Sequence, residues 1–93
     1  MSHVVKEKTK LLNRLKRLRG QIDAIERSVE ADHECAGVLQ QATSCRGALD
    51  GFIAEVIEDH IREHMLEPNA RRDDPRTVAA EELVEIVHAY LKK

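Results

Sequence analysis

The sequence predicts a small all-α protein with three helices. Apolar residues recur at helical steps of three and four along three segments, and no segment alternates apolar and polar residues as a half-exposed strand does. Leu, Ile, Val and Ala supply most of the 42% apolar content, and the chain has one Phe, one Tyr and no Trp. A length of 93 residues suits one domain, so residues 1–93 are expected to fold as a single unit.

The first predicted helix runs from about Val5 to Val29. Its apolar residues form a narrow seam typical of helix packing, namely Leu11, Leu15, Leu18, Ile22, Ile25 and Val29. Seven Lys and Arg residues precede Gly20 against Glu7 alone, which gives this part a net charge of +6 within a chain of −2. The asymmetry indicates a basic docking surface on an acidic body, although a solvated lysine-rich helix has a similar pattern.

The second predicted helix runs from near His33 to about Met65, with Asp32 as its N-cap. At about 1.5 Å per residue it is nearly 50 Å long, more than a globule of this size needs. It has a wide apolar stripe, made of Val38, Leu39, Ala42, Cys45, Leu49, Phe52, Ile53, Val56, Ile57 and Ile61. One short partner helix cannot cover this stripe. We therefore expect a second copy to complete an antiparallel four-helix bundle.

A polar linker separates the third predicted helix from the second. Asp74 and Pro75 fit the N-cap and the first helical position. The helix then carries the apolar residues Val78, Leu83, Ile86, Val87, Tyr90 and Leu91. His88, on the same helix, is interpreted as a surface residue without a partner.

Three residues of the second helix suggest a metal site. His60 and His64 are four residues apart, so their rings project from one face, although many exposed His pairs of this kind bind nothing. Cys35 stands near the helix N-terminus, which favours the thiolate. About 38 Å of helix separates Cys35 from His60, so only an antiparallel second subunit could bring them together. A thiolate with imidazoles suits Ni(II), Co(II) and Zn(II), whereas Cu(I) prefers more sulfur.

The chain terminus and the remaining cysteine complete the candidates. Removal of Met1 would leave Ser2 and His3, whose amine and imidazole could chelate a metal. His33 could add a ligand, whereas Cys45 is interpreted as a small buried hydrophobe. Two cysteines without a secretory or membrane-spanning run indicate the reducing cytoplasm, and we expect no membrane partner. No arrangement of nucleophile, base and orienting group is visible, so an enzyme is not expected.

Several segments together resemble a known family. They are Met1-Ser2-His3, Leu18-Arg19-Gly20-Gln21, His33-Glu34-Cys35, Val38-Leu39-Gln40-Gln41, Arg46-Gly47-Ala48 with Gly51, and Glu55-Val56-Ile57 leading to His60 and His64. Over nearly the whole chain the sequence is similar to the CsoR/RcnR/FrmR family of metal- and formaldehyde-responsive transcriptional repressors, closest to its RcnR and FrmR branches. The resemblance implies an all-α protomer, a four-helix-bundle dimer and a homotetramer formed by two dimers.

The resemblance also implies a function. The effector-free repressor is expected to bind double-stranded operator DNA through the basic residues Lys10, Arg14, Lys16, Arg17 and Arg19, and to release it when the effector binds. Such contacts mainly address phosphates and groove shape.

Two effectors are compatible with the resemblance. The set His3, Cys35, His60 and His64 follows the nickel/cobalt pattern, with Zn(II) as a further option; the copper branch has Cys where this chain has His64. In the formaldehyde branch a methylene group joins the amine of residue two, often Pro, to the conserved thiol, which here means Ser2 and Cys35. A third hypothesis, a helical interaction or metal-storage protein, is disfavoured by the basic first helix.

Overall fold

The computed structural model describes residues 8–66 and 69–91. It contains three α-helices, α1 (Lys8–Glu30), α2 (Cys35–His60) and α3 (Pro75–Leu91), and a π-helical turn at Ile61–Met65 that extends α2. No strand occurs in these two ranges. The predicted all-α class with three helices is therefore confirmed. The predicted start near Val5 lies outside the described residues.

Helix α2 is the central element of the protomer. Both α1 and α3 pack against α2, and within the described ranges α1 and α3 do not contact each other. The molecule is consequently long and thin, with extents of 56 × 27 × 16 Å. Its radius of gyration is 17.4 Å, whereas a compact chain of this length has one of about 12 Å.

The buried apolar core is small. Among the described residues it consists of Leu11, Leu18, Ala54, Ile61, Ala80 and Val84. The seam predicted on α1 is only half covered, because Ile22 and Val29 are each 57% exposed. No described helix is both long enough and apolar enough to cross a membrane.

The inward face of α3 differs from the predicted one. Val84, which the predicted set omits, is 7% exposed and packs with Ile61 and Ala80. Leu83 and Ile86 are 40% and 53% exposed. Helical periodicity identified α3 but could not select its buried face, since apolar residues occur on two sides of this helix.

The turn between α1 and α2 corrects the predicted role of Asp32. Its φ of 56° lies in the left-handed region, and its amide donates to the Val29 carbonyl at 3.1 Å. The next amide, of His33, donates to the Ser28 carbonyl at 3.0 Å. These two bonds define a Schellman motif, so Asp32 ends α1 and does not cap α2. Glu34 precedes α2 instead, without a side-chain cap.

The start of α3 is as predicted. The Arg76 amide donates to Asp74 Oδ1 at 2.8 Å, and Pro75 is the first helical residue. Asp74 thus satisfies one of the amides that a helix leaves unpaired at its N-terminus, while Pro75 has no amide hydrogen to satisfy.

The left-handed backbone at Asp32 yields a stability prediction. Replacing Asp32 with Gly should raise the free energy of unfolding by about 0.5–1 kcal/mol, because Gly adopts positive φ without the steric cost of a Cβ. Urea denaturation followed by circular dichroism measures this change. Asp32→Ala is the control and should destabilise the protein, whereas a stabilising Asp32→Ala would contradict the assignment.

Candidate effector site and DNA-contact surface

The two histidines of the candidate site lie side by side. His60 is the last residue of α2, and His64 lies in the π turn that follows. Their ring centroids are 4.9 Å apart with planes tilted by 42°, and both residues are exposed. The chain therefore brings these two imidazoles together on one face, as their spacing predicted. Single π turns within α-helices are frequent at functional sites.

Cys35 lies at the opposite end of the same helix. It is the first residue of α2, is exposed and forms no disulfide. The 25 residues between Cys35 and His60 span about 38 Å of helix, so one protomer does not unite them. Within the described part of the chain, no three His, Cys, Asp or Glu side chains form a group that could hold a metal ion. The predicted contributors Ser2 and His3 lie outside that part.

An uncovered apolar face of α2 connects Cys35 to His60. Along it Leu39 is 67% exposed, Leu49 45% and Ile53 38%. These residues are separated by 4, 10, 4 and 7 positions from Cys35 to His60, so they share one coiled-coil register whose other members are Ala42, Arg46 and Val56. Neither α1 nor α3 covers this face. Cys45 lies to one side of it as a partly buried free thiol.

Ion pairs and hydrogen bonds connect α3 to the end of α2 that carries His60. Arg62, between the two histidines in the chain, donates to Glu58 Oε2 at 3.0 Å and to the two oxygens of Glu81 at 2.6 and 3.2 Å. His88 Nε2 lies 2.6 Å from Glu58 Oε1. His88 is therefore a partly buried partner of Glu58, and its interpretation as an unpartnered surface residue was wrong. We call these four residues the α2–α3 clasp.

The carboxylates of the clasp are held in their charged form. Burial raises the pKa of Glu58, but hydrogen bonds from Arg62 and His88 outweigh it, so the pKa lies below its ordinary value. Arg62 also lowers the pKa of Glu81. In return, Glu81 and Glu58 raise the pKa of Arg62. Arg62, Glu58 and Glu81 therefore form ion pairs at neutral pH, and these pairs orient the turn that carries His64.

The cations predicted to contact DNA fall into two groups. Lys16, Arg17 and Arg19 are exposed on α1 and form no ion pair with any other described residue. Lys10 and Arg14 instead approach Glu55 of α2, with nitrogen–oxygen distances of 3.9 and 3.5 Å. All five side chains lie on α1, but two of them share an acidic partner.

The ion pairs of Glu55 and of the clasp were not identified from the sequence. The spacing of Glu58 and Arg62 was the one local signal, because Glu four residues before Arg is a favourable order on a helix. The remaining contacts join residues 30 and 41 positions apart for His88–Glu58 and Arg14–Glu55. No periodicity in one helix reveals such partners.

Comparison with known proteins identifies the family. The sequence model described as metal-sensitive transcriptional repressor matches residues 7–89. The chain belongs to this family of repressors. Because transcriptional repressors act by binding DNA, the basic face of α1 is the candidate DNA-contact surface, and an enzymatic role is excluded.

Three relatives extend over essentially the whole repressor. It is 40% identical to the protein described as an uncharacterized protein in the bioA 5′ region of Serratia marcescens, over 99% of this chain and 100% of that one. It is 36% identical to the transcriptional repressor RcnR of Salmonella paratyphi B, with the same coverage. A solved structure of a variant of the formaldehyde-responsive regulator FrmR from Salmonella enterica serovar Typhimurium has a TM-score of 0.66 and 31% identity, covering 96% and 99% of the two chains.

The lowered pKa of Glu58 predicts a pH dependence of stability. Glu58→Gln should cost about 1 kcal/mol of unfolding free energy at pH 7, where the folded protein holds a charged Glu58 in two hydrogen bonds. A carboxylate with a depressed folded pKa stabilises the fold above its unfolded pKa, near 4.5, and loses this effect as pH falls through the folded pKa. The difference between variant and wild type should therefore shrink in acid. Urea denaturation at pH 7 and pH 3 tests this.

The matched control is Glu82→Gln, because Glu82 is exposed on α3 and does not belong to the clasp. This variant should change stability little at either pH. An equal loss in both variants, or a Glu58→Gln deficit that persists unchanged at pH 3, contradicts the role assigned to the clasp.

Proposed function

We propose that this protein is a nickel- or cobalt-responsive repressor. In the effector-free form it binds operator DNA through α1, and metal binding at a site shared between subunits releases the DNA. The proposed site combines Cys35 of one subunit with His60 and His64 of another, completed by His3. The paired imidazoles carry the proposal, because their rings lie side by side at the end of α2, where they could offer two nitrogen ligands to one ion.

The uncovered face of α2 supports sharing between subunits. Two α2 helices packed antiparallel along Leu39, Leu49 and Ile53 would bury side chains that a single protomer leaves exposed. The same arrangement would place the Cys35 end of each helix beside the His60 end of its partner. The proposed assembly is a dimer of this kind, a four-helix bundle, and two such dimers form a tetramer.

The chemistry of the donor set fits borderline divalent ions. One thiolate with several imidazole nitrogens suits Ni(II) and Co(II), and also Zn(II). Exposure of Cys35, His60 and His64 leaves all three side chains accessible for coordination. A single sulfur is a poor match for Cu(I), which favours thiolate-rich sites.

A formaldehyde-responsive repressor is the second candidate. The exposed thiol of Cys35 and the similarity to the formaldehyde-responsive regulator favour it. In this reaction the Ser2 amine and the Cys35 thiol each lose one hydrogen and formaldehyde loses its oxygen as water, leaving a methylene bridge between nitrogen and sulfur. His60 and His64 have no part in this chemistry, which is why the paired imidazoles favour metal.

Mixed dimers test the shared metal site. Cys35→Ala and His60→Ala/His64→Ala homo-oligomers should each lose the thiolate-to-metal charge-transfer band on titration with Ni(II) or Co(II). Co-expressed with two tags and purified on both, the two variants should regain up to about half of the wild-type band, because each mixed dimer within the tetramers retains one of its two sites. Cys45→Ala is the control and should leave the band unchanged.

Two outcomes contradict the shared site. If the charge-transfer band survives in Cys35→Ala, the Cys35 thiolate is not its source. Mixed dimers without any band show that the cysteine and the histidines of one site come from the same subunit.

Release of promoter DNA by different effectors separates the two functions. The metal hypothesis predicts that Ni(II) or Co(II) abolishes the mobility shift of a promoter fragment at about one ion per site, while formaldehyde acts weakly. The formaldehyde hypothesis predicts the reverse, with a mass gain of one carbon atom linking Ser2 to Cys35. Zn(II) and Cu(I) serve as parallel controls. If the effector-free protein fails to shift any promoter fragment, the repressor function itself is contradicted.

A further inference from the structure

Glu55 is the only described acidic residue paired with the predicted DNA-contact cations. It lies on α2, and its side chain is 15% exposed at the contact with α1. Its Oε1 accepts from Arg14 Nη2 at 3.5 Å, and its Oε2 is 3.9 Å from Lys10 Nζ. The Arg14 side chain is 26% exposed and that of Lys10 is 54% exposed, so Glu55 and Arg14 are largely withdrawn from solvent whereas Lys10 is not.

The pairing with Glu55 reduces how readily Lys10 and Arg14 can bind a DNA phosphate. A phosphate attracts these cations only in competition with a carboxylate that is already in place. The distances of 3.5 and 3.9 Å exceed the 2.7–2.9 Å or so of a strong charge-assisted hydrogen bond, so the pairs are loose and can exchange partners. Lys16, Arg17 and Arg19 face no such competitor among the described residues.

We propose that Glu55 is an internal competitor of DNA phosphate that withholds Lys10 and Arg14 and thereby limits the operator affinity of the effector-free repressor. This inference rests on the proposed function in one respect, that α1 is the DNA-contact helix. Glu55 also joins α1 to α2 five residues before His60. It is therefore a positioning residue through which the sensing helix acts on the DNA-contact surface.

The test compares Glu55→Gln with wild type in binding to one promoter fragment across a range of salt concentrations. Glu55→Gln keeps the side-chain shape and removes the charge, so Lys10 and Arg14 become free to contact phosphate. The affinity should rise roughly tenfold at about 0.1 M salt, and the slope of log affinity against log salt should steepen by up to about 2, or about 0.9 for each added contact. Fluorescence anisotropy provides both quantities.

A matched control separates local release from a change in total charge. Glu82→Gln removes the same charge from the exposed surface of α3 and should leave the salt slope at its wild-type value. If Glu55→Gln behaves like Glu82→Gln, or binds DNA more weakly than wild type, the competitor role is overturned. If the wild-type protein does not bind the promoter fragment at all, the proposed function is contradicted. Failure of the competitor role and failure of the proposed function therefore give different results.

A second variant keeps the inference testable if Glu55→Gln folds poorly. Lys10→Gln/Arg14→Gln in the wild-type background should change the salt slope by less than about 0.5, because Glu55 already withholds these cations. The same pair of substitutions combined with Glu55→Gln should cancel the gain in affinity. If the salt slope of Lys10→Gln/Arg14→Gln is instead shallower than that of wild type by about 1.8, both cations contact phosphate even when Glu55 is present. That result would overturn the inference.

Discussion

The structure depends on the packing of two helices, α1 and α3, against α2. Because α1 and α3 do not contact each other in the described ranges, every tertiary interaction between helices passes through α2 or its π turn. A 26-residue helix with two shorter neighbours retains a long uncovered face, here the one with Leu39 and Leu49. Burying apolar surface is favourable by about 25 cal/mol per Å², so covering this face with a second copy would be favourable. The proposed self-association and the proposed shared site both rest on this geometric constraint.

Ion pairs supplement the small apolar contact between α2 and α3. Among the described residues the core around Ile61 includes only Ala80 and Val84, with Ile57 and Leu66 packed against it. The α2–α3 clasp lies beside this small cluster and adds directional contacts between the two helices. Its pairs are only partly buried, so desolvation costs little and net stabilisation stays modest. The clasp therefore contributes more to the orientation of the histidine-bearing turn than to the stability of the fold.

The sequence predicted the helices and one cap correctly because these features depend on neighbouring residues. Asp74 and Pro75 act on the first turn of their own helix. The prediction of Asp32 as the N-cap of α2 was wrong because Asp suits both an N-cap and a left-handed backbone position. Only the path of the chain decides between the two. The partners of His88 and Arg14 lie 30 and 41 residues away, and depend on how the helices rotate against one another. Local patterns in a single sequence contain no such information.

The contact between α1 and α2 bears on how an effector could change DNA affinity. An effector weakens DNA binding only if it binds more tightly to a shape that binds DNA less well. Glu55 and His60 belong to one continuous helix, so a shift of α2 imposed at His60 is carried to Glu55 with little loss. Coulomb attraction varies inversely with separation, so lengthening distances of 3.5 and 3.9 Å by about 1 Å weakens it by roughly a fifth. The Glu55 pairs thus provide a direct physical contact between α2, the proposed sensing helix, and the cations of α1.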